Sequence, residues 1–312
     1  MIWTFIFTLV LPNPSIGNKI DKVWGYDSHL APETWGKLHS KIWDLCENGK
    51  HQSPIEIDPS MLLFDPNLTN LIINIPNVNG RLETNGLDVT LSIDDDTPHM
   101  FNITGGPLSY LYKITDIKFH YGKFGYTGSE HTIGNKAFPA EVQIIGYNNE
   151  VYKSKSEAGN SAKGVVILSV FLETKSKSNY AIDKIVSYLP QMQRTDDHSG
   201  TNTVYETRIK SLDLSSLLPN TDQYVTYEGS FTQPGCQETV TWIIFNKPTI
   251  ISENQLNQLR KHGKGEWNYN NARPVQPTHQ RVVRTNINFK PTTRFCSMER
   301  KVQYKVNSNM ER

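Results

Sequence analysis

Asp116-Ile117-Lys118-Phe119-His120-Tyr121-Gly122 is the stretch that decides how this chain is read. On a strand, residues two apart share a face, so Lys118 and His120 point one way and Phe119 the other. About twenty residues on, Ala140-Glu141-Val142-Gln143-Ile144-Ile145 reads as a second strand, with Glu141 and Gln143 on one face. Between them lies a polar turn, Gly128-Ser129-Glu130-His131. Two such strands side by side would aim Lys118, His120 and Gln143 into one space. A single histidine on a strand is more often a hydrogen-bonded core residue than a ligand, and both readings stand at this point.

Outward from that pair the same texture continues. Leu71-Ile72-Ile73-Asn74-Ile75 is a short β-rich run, and Leu87-Asp88-Val89-Thr90-Leu91-Ser92-Ile93 alternates as a half-buried strand does. Gly164-Val165-Val166-Ile167-Leu168-Ser169-Val170-Phe171-Leu172 is almost continuously apolar and predicts a central strand covered on both faces. Thr239-Val240-Thr241-Trp242-Ile243-Ile244-Phe245 predicts another. Helical spacing is confined to residues 181–188 and 252–260, the second opening on Ser252 with Asn254 and Gln255 behind it. The fold class expected is mainly β, with short peripheral helices. Residues 261–271, rich in Lys, Gly and Asn, predict a surface loop.

Composition bounds the function classes. The chain has 312 residues, 37% of them hydrophobic, 10% aromatic and 20% charged. That is enough apolar material for a sizeable core. A net charge of +1 gives no global electrostatic case for nucleic acid. Residues 2–11 are almost wholly apolar, too short to span a bilayer and suited to a signal-peptide core. Asn13 and Pro14 break the run, and Ser15-Ile16-Gly17 offers a cleavage site after Gly17. The expectation is a signal peptide at 1–17 and a secreted, extracellular protein; a buried N-terminal strand is the alternative. No other run predicts a membrane span. Asn67-Leu68-Thr69 and Asn102-Ile103-Thr104 are glycosylation sequons, at Asn67 and Asn102. Of the three cysteines, Cys46, Cys236 and Cys296, two can pair in an oxidising compartment and one is left over. The tail at 290–312 carries Lys290, Arg294, Arg300, Lys301, Lys305 and Arg312 against Glu299 and Glu311. Within it Val302-Gln303-Tyr304-Lys305-Val306 alternates well enough to add a strand.

The order of landmarks from Trp24 to Phe289 resembles the α-type carbonic anhydrases. They are Trp24-Gly25-Tyr26, Gln52-Ser53-Pro54-Ile55, Phe119-His120-Tyr121-Gly122, Gly128-Ser129-Glu130-His131, Ala140-Glu141, Tyr227-Glu228-Gly229-Ser230, Thr241-Trp242 and Arg273-Pro274-Val275-Gln276-Pro277. The resemblance implies one domain, over 18–289, around a large twisted, mostly antiparallel sheet. Active members hold zinc with three histidines, at the positions that match Lys118, His120 and Gln143. Two of the three are replaced here. An ammonium repels Zn²⁺, and an amide is a poor substitute where about three imidazole or anionic ligands are needed. Without the metal, water keeps a pKa near 15.7 rather than about 7, and no hydroxide nucleophile forms. The expectation is therefore a non-enzyme with no metal and no cofactor. Glu130 and Thr232 match the pair that orients the zinc-bound hydroxide, and Glu141 matches the carboxylate behind the third histidine. The proton-shuttle position falls on Leu87. In the mouth segment Phe231-Thr232-Gln233-Pro234-Gly235, active members typically have a second proline where Gly235 stands. Extracellular members commonly join the positions of Cys46 and Cys236 by a disulfide, which the resemblance implies here.

The Lys/His/Gln pattern is most similar to the secreted carbonic-anhydrase-related proteins of the X and XI type. Further matches are Phe138-Pro139-Ala140-Glu141-Val142-Gln143, Asn246-Lys247-Pro248 and Arg284-Thr285-Asn286-Ile287-Asn288-Phe289 with its Cys-bearing tail. That branch is non-catalytic and associated with neuronal surfaces, with neurexins as partners. The resemblance thus implies an extracellular binding protein with a neurexin-like partner and no nucleic acid. Cys296 becomes a candidate for an intermolecular disulfide, to a partner or a second copy; a free or buried thiol is the alternative. The competing reading is a zinc-dependent CO2 hydratase with an atypical or weak metal site.

Overall fold

The computed structural model describes residues 24–95, 100–125, 127–196, 203–261 and 270–288. The expected signal segment, the loop at 262–269, Cys296 and the strand candidate at 302–306 lie outside them. Fourteen strands of the described residues form one sheet. Eleven make its main path: β1 (Leu63–Phe64), β2 (Val78–Thr84), β3 (Val89–Ile93), β4 (Leu108–Tyr121), β5 (Ala140–Asn148), β6 (Val165–Lys175), β7 (Gln193–Asp196), β8 (Thr203–Leu212), β9 (Tyr224–Gly229), β10 (Val240–Phe245) and β11 (Arg284–Thr285). Across the sheet they run β7-β8-β2-β3-β4-β5-β6-β10-β9-β11-β1. Pairing is antiparallel except β6 with β10, β6 with the short strand Thr249–Ser252, and β11 with β1. This is the mainly β, mostly antiparallel architecture expected.

Strand parity places the site. Ile117 and Phe119 on β4, Val142 and Ile144 on β5, and Leu168 and Val170 on β6 belong to the larger apolar cluster, covered by α2 (Tyr180–Tyr188) and α3 (Glu253–Lys261) through Ile182, Ile185, Leu256 and Leu259. Each of these side chains contributes about 1.5–3 kcal/mol by leaving water. A one-residue slip of β4 or β5 would turn them out and lose that term, so the register is strongly held. The opposite parity therefore faces the other way without choice. There Lys118 stands across from Gln143, and His120 from Glu141. Ile145, Ile167, Phe171 and Trp242 form the apolar cluster of that second face. All of Val165–Leu172 is buried, as its continuous apolar run predicts.

The helices begin where side chains can satisfy their first amides. Asn179 accepts from the Ile182 N–H at 3.1 Å at the start of α2. At α3 the Ser252 hydroxyl accepts from the Gln255 N–H, and the Gln255 carboxamide accepts from the Ser252 N–H. That reciprocal box explains why the signal read at Ser252 marks the true start. A one-and-a-quarter-turn helix, α1 (Lys155–Gly159), delivers Lys155 to the rim of the site.

Candidate functional site

The polar groups nearest Lys118 are paired with one another. The Lys118 Nζ donates to Asp88 Oδ2 at 3.2 Å and to Gln233 Oε1 at 2.9 Å. Gln233 returns a 2.6 Å bond from its Nε2 to the same Asp88 oxygen. Burial opposes ionisation of Asp88, but the Lys118 ammonium, with Gln233, outweighs it and holds the carboxyl below its ordinary range. Gln143 is buried and donates through Nε2 to Glu130 Oε2 at 2.6 Å. Glu130 Oε1 accepts from the Arg273 backbone N–H at 2.9 Å.

His120 is wholly buried. Its Nδ1 lies 2.8 Å from the Asn271 carbonyl oxygen, which can only accept, so the proton sits on Nδ1. Its Nε2 is buried with no hydrogen-bond partner among the described residues. Asn271 is itself held by β4, donating to the Phe119 carbonyl and accepting from the Tyr121 N–H. Glu141 accepts from the N–H groups of Glu130 and His131, from the Ser169 hydroxyl at 2.8 Å and from His131 Nδ1 at 3.0 Å. Burial would raise its carboxyl; His131 and those bonds more than offset this and lower it. His131 continues through Nε2 to Tyr227 Oη at 2.7 Å, which meets Ser53 Oγ at 2.8 Å. The segment Gly128–His131, expected as a polar turn, is thus largely interior: Ser129, Glu130 and His131 are buried, the last two held by Glu141 and Ser129 by the His131 carbonyl and Phe138.

A cavity of about 250 Å³ opens on this face, lined by Lys118, Gln143 and Thr232 on one side and Ile145, Ile167 and Phe231 on the other. Of the sequence-predicted residues, Lys118, Gln143 and Thr232 line this cavity; Glu130 and Glu141 lie behind it against the Gln143 amide, and His120 lies beside Glu130. Leu87 is half-buried, beside Gly25. Asn67 is exposed, and Asn102 is half-buried on the strand Asn102–Gly105. Cys46 and Cys236 form a disulfide, 2.07 Å between sulfurs, packed against Trp35 and Trp43. Gly235 has φ +106°, a conformation closed to proline, whose ring fixes φ near −65°. The changed mouth residue and the backbone therefore agree.

The donor set does not fit a zinc ion. His120 alone offers a buried imidazole lone pair with no partner among the described residues. Lys118 offers an ammonium engaged with a carboxylate, and Gln143 offers only a neutral amide oxygen, a poor zinc ligand. Among the described residues, no group of three or more His, Cys, Asp or Glu side chains could hold a metal ion. What the face can do is present fixed donors and acceptors. Sequence reading missed Asp88, Gln233 and Asn271. Asp88 shares a strand face with Thr90, but the register that sets Thr90 beside Lys118 appears only in the structure. Gln233 and Asn271 lie 115 and 151 residues from their partners and had no local signal.

The profile of the eukaryotic-type carbonic anhydrases matches residues 30–287. A protein of Caenorhabditis elegans named as carbonic anhydrase-like is 37% identical over 274 residues, covering 84% of this chain and 79% of that protein.

Proposed function

We propose that this chain, which belongs to the eukaryotic-type carbonic anhydrase family, is a secreted, non-catalytic member that acts by binding a partner outside the cell. The observation that carries the reading is the Lys118 ammonium, standing at a zinc-ligand position and neutralised by Asp88 and Gln233. A cation already occupies the charge balance of the site, and a second one there would be repelled. In this reading residues 1–17 are a secretion signal, 18–289 the domain and 290–312 a basic tail. Asn67 and Asn102 carry glycans, and the partner is a cell-surface protein of the neurexin type. The disulfide at Cys46–Cys236 fits an oxidising route, which would leave Cys296 for a bond to another chain.

The test is metal content and CO2 hydration on the secreted protein, beside the double variant Lys118→His plus Gln143→His. The expected result is no stoichiometric zinc and no hydration above the buffer blank for the natural chain, with zinc acquired by the double variant. Stoichiometric zinc and clear hydration in the natural chain would instead support a hydratase with an atypical site. A non-reducing gel of the natural chain and Cys296→Ser would test the linked species.

A further inference from the structure

We propose that the cleft over β2, β3 and β4 is a binding site for a neutral saccharide of one or two rings. The cleft has a volume of about 520 Å³, within the range of roughly 300–1,000 Å³ typical of small-ligand sites. Its floor is two cross-strand rows on a rigid sheet. One runs Arg81, Ser92, Asp116; the other runs Glu83, Thr90, Lys118. Neighbours in a row stand about 4.8 Å apart, and the rows about 6.8 Å apart along the strands. Donors and acceptors therefore alternate on a fixed two-dimensional grid, the layout that a ring carrying hydroxyls on several carbons can meet at several points together.

The charge state of the cleft selects the ligand class. Three cations and three carboxylates line it, and each cation is already paired: Lys118 with Asp88, Lys155 with Asp116, and Arg81 with Glu83 at 3.3 Å. An anion or a cation would have to break one of these pairs to bind, stranding the other member. A neutral polyol breaks none, because it adds to lone pairs and N–H groups that the pairs leave over. An apolar peptide is poorly served, since only Trp24 and Val204 among the lining residues are apolar. Trp24 adds the second element of saccharide recognition. It is half-buried at the cleft, braced edge-on by Tyr26 at 5.7 Å and Trp35 at 5.5 Å. A fixed indole offers an apolar surface with an electron-rich face for the C–H side of a sugar ring. The proposal does not depend on the extracellular partner.

The experiment is saturation-transfer NMR and calorimetric titration with maltose, cellobiose, lactose and N,N′-diacetylchitobiose at millimolar concentration. The protein is the full secreted chain. At least one disaccharide saturates, and its Kd stays constant when NaCl rises about tenfold, because a neutral ligand has no charge to screen. Trp24→Ala removes the stacking face and Ser92→Leu fills the middle of the grid. Each weakens binding by at least about fivefold, while melting curves show both variants folded; should Trp24→Ala not fold, Ser92→Leu alone decides. No saturable binding by any of the four sugars overturns the proposal. So does binding that both folded variants leave unchanged, or saturation only by a sulfated disaccharide with loss in salt, which would make the site an anion site.

Discussion

Replacing Lys118 by methionine keeps most of the side-chain volume and removes the charge that balances Asp88. Asp88 is 6% exposed, and its carboxylate keeps only neutral donors in the variant, Gln233 Nε2 at 2.6 Å and the Thr90 hydroxyl at 3.2 Å. Stranding one member of a buried pair typically costs about 3–5 kcal/mol. Two surviving donors, and a Lys118 side chain that is one-fifth exposed, reduce this to about 2–3 kcal/mol. At this chain size the drop in Tm is about 4–8 °C. The pH dependence identifies the cause. In the natural chain the folded Asp88 carboxyl titrates below its unfolded value, so its stabilisation is present above about pH 4 and is lost as pH falls through the folded value. In Lys118→Met the ammonium that chiefly offsets burial is gone, so the carboxyl moves up from its place in the natural chain and the variant is worst placed at neutral pH. Urea unfolding followed by tryptophan fluorescence at pH 7, 5 and 3.5 should show the gap widest at pH 7 and narrowing as pH falls. Adding Asp88→Asn should cancel most of the Lys118→Met cost. A gap under about 0.5 kcal/mol at pH 7, or one that ignores pH, would refute the reasoning.

The disulfide closes a loop of 190 residues, so Cys46→Ser plus Cys236→Ser should lower stability by about 2–5 kcal/mol, read by the same denaturation curves. Gly235→Ala meets φ +106° and should cost about 1–2 kcal/mol, with Gly235→Pro costing more; equal Tm values for all three chains would contradict the strained mouth turn. Glu141→Gln removes the charge that His131 faces and misplaces a donor against two backbone N–H groups. It should destabilise by about 2–4 kcal/mol at pH 7. The natural Glu141 carboxyl is lowered, so this difference should shrink as pH falls below about 4.

What could be read in the chain before its structure followed the range of the forces involved. Alternation is a property of a few consecutive residues, so 116–121 and 140–145 declared both strands and the faces of Lys118, His120 and Gln143. The Ser252–Gln255 box is local too, and its helix begins at Glu253 as expected. The register that sets Lys118 opposite Gln143 is not local. Alternation permits every even offset between two strands, and the one observed is set by the packing of the whole sheet. Residues 128–131 are polar and look like a surface turn, yet lie inside because Glu141 satisfies the backbone N–H groups of Glu130 and His131 together. Nothing in those four residues announces a carboxylate ten positions away.

Under the proposed non-catalytic reading, that distinction bears on how this fold can stand without a zinc ion. A buried carboxylate left with no compensating partner costs several kcal/mol, and this face buries Asp88, Glu130 and Glu141. The chain meets each charge separately. Lys118 supplies a fixed cation for Asp88, and Gln143 supplies an N–H for Glu130. Glu141 keeps His131 and Ser169. In the proposed non-catalytic reading Lys118 and Gln143 stand where two ligand histidines would, so the residues that deny a metal its ligands also neutralise or hydrogen-bond the carboxylates around it. Reintroducing one histidine alone should therefore be worse for stability than either end state, because it removes a partner without completing a site. In zinc-free buffer Lys118→His and Gln143→His should each melt below the natural chain, and only the double variant should regain Tm when zinc is added. Singles as stable as the natural chain, or a double that zinc leaves unchanged, would show that the two positions are not coupled through this face.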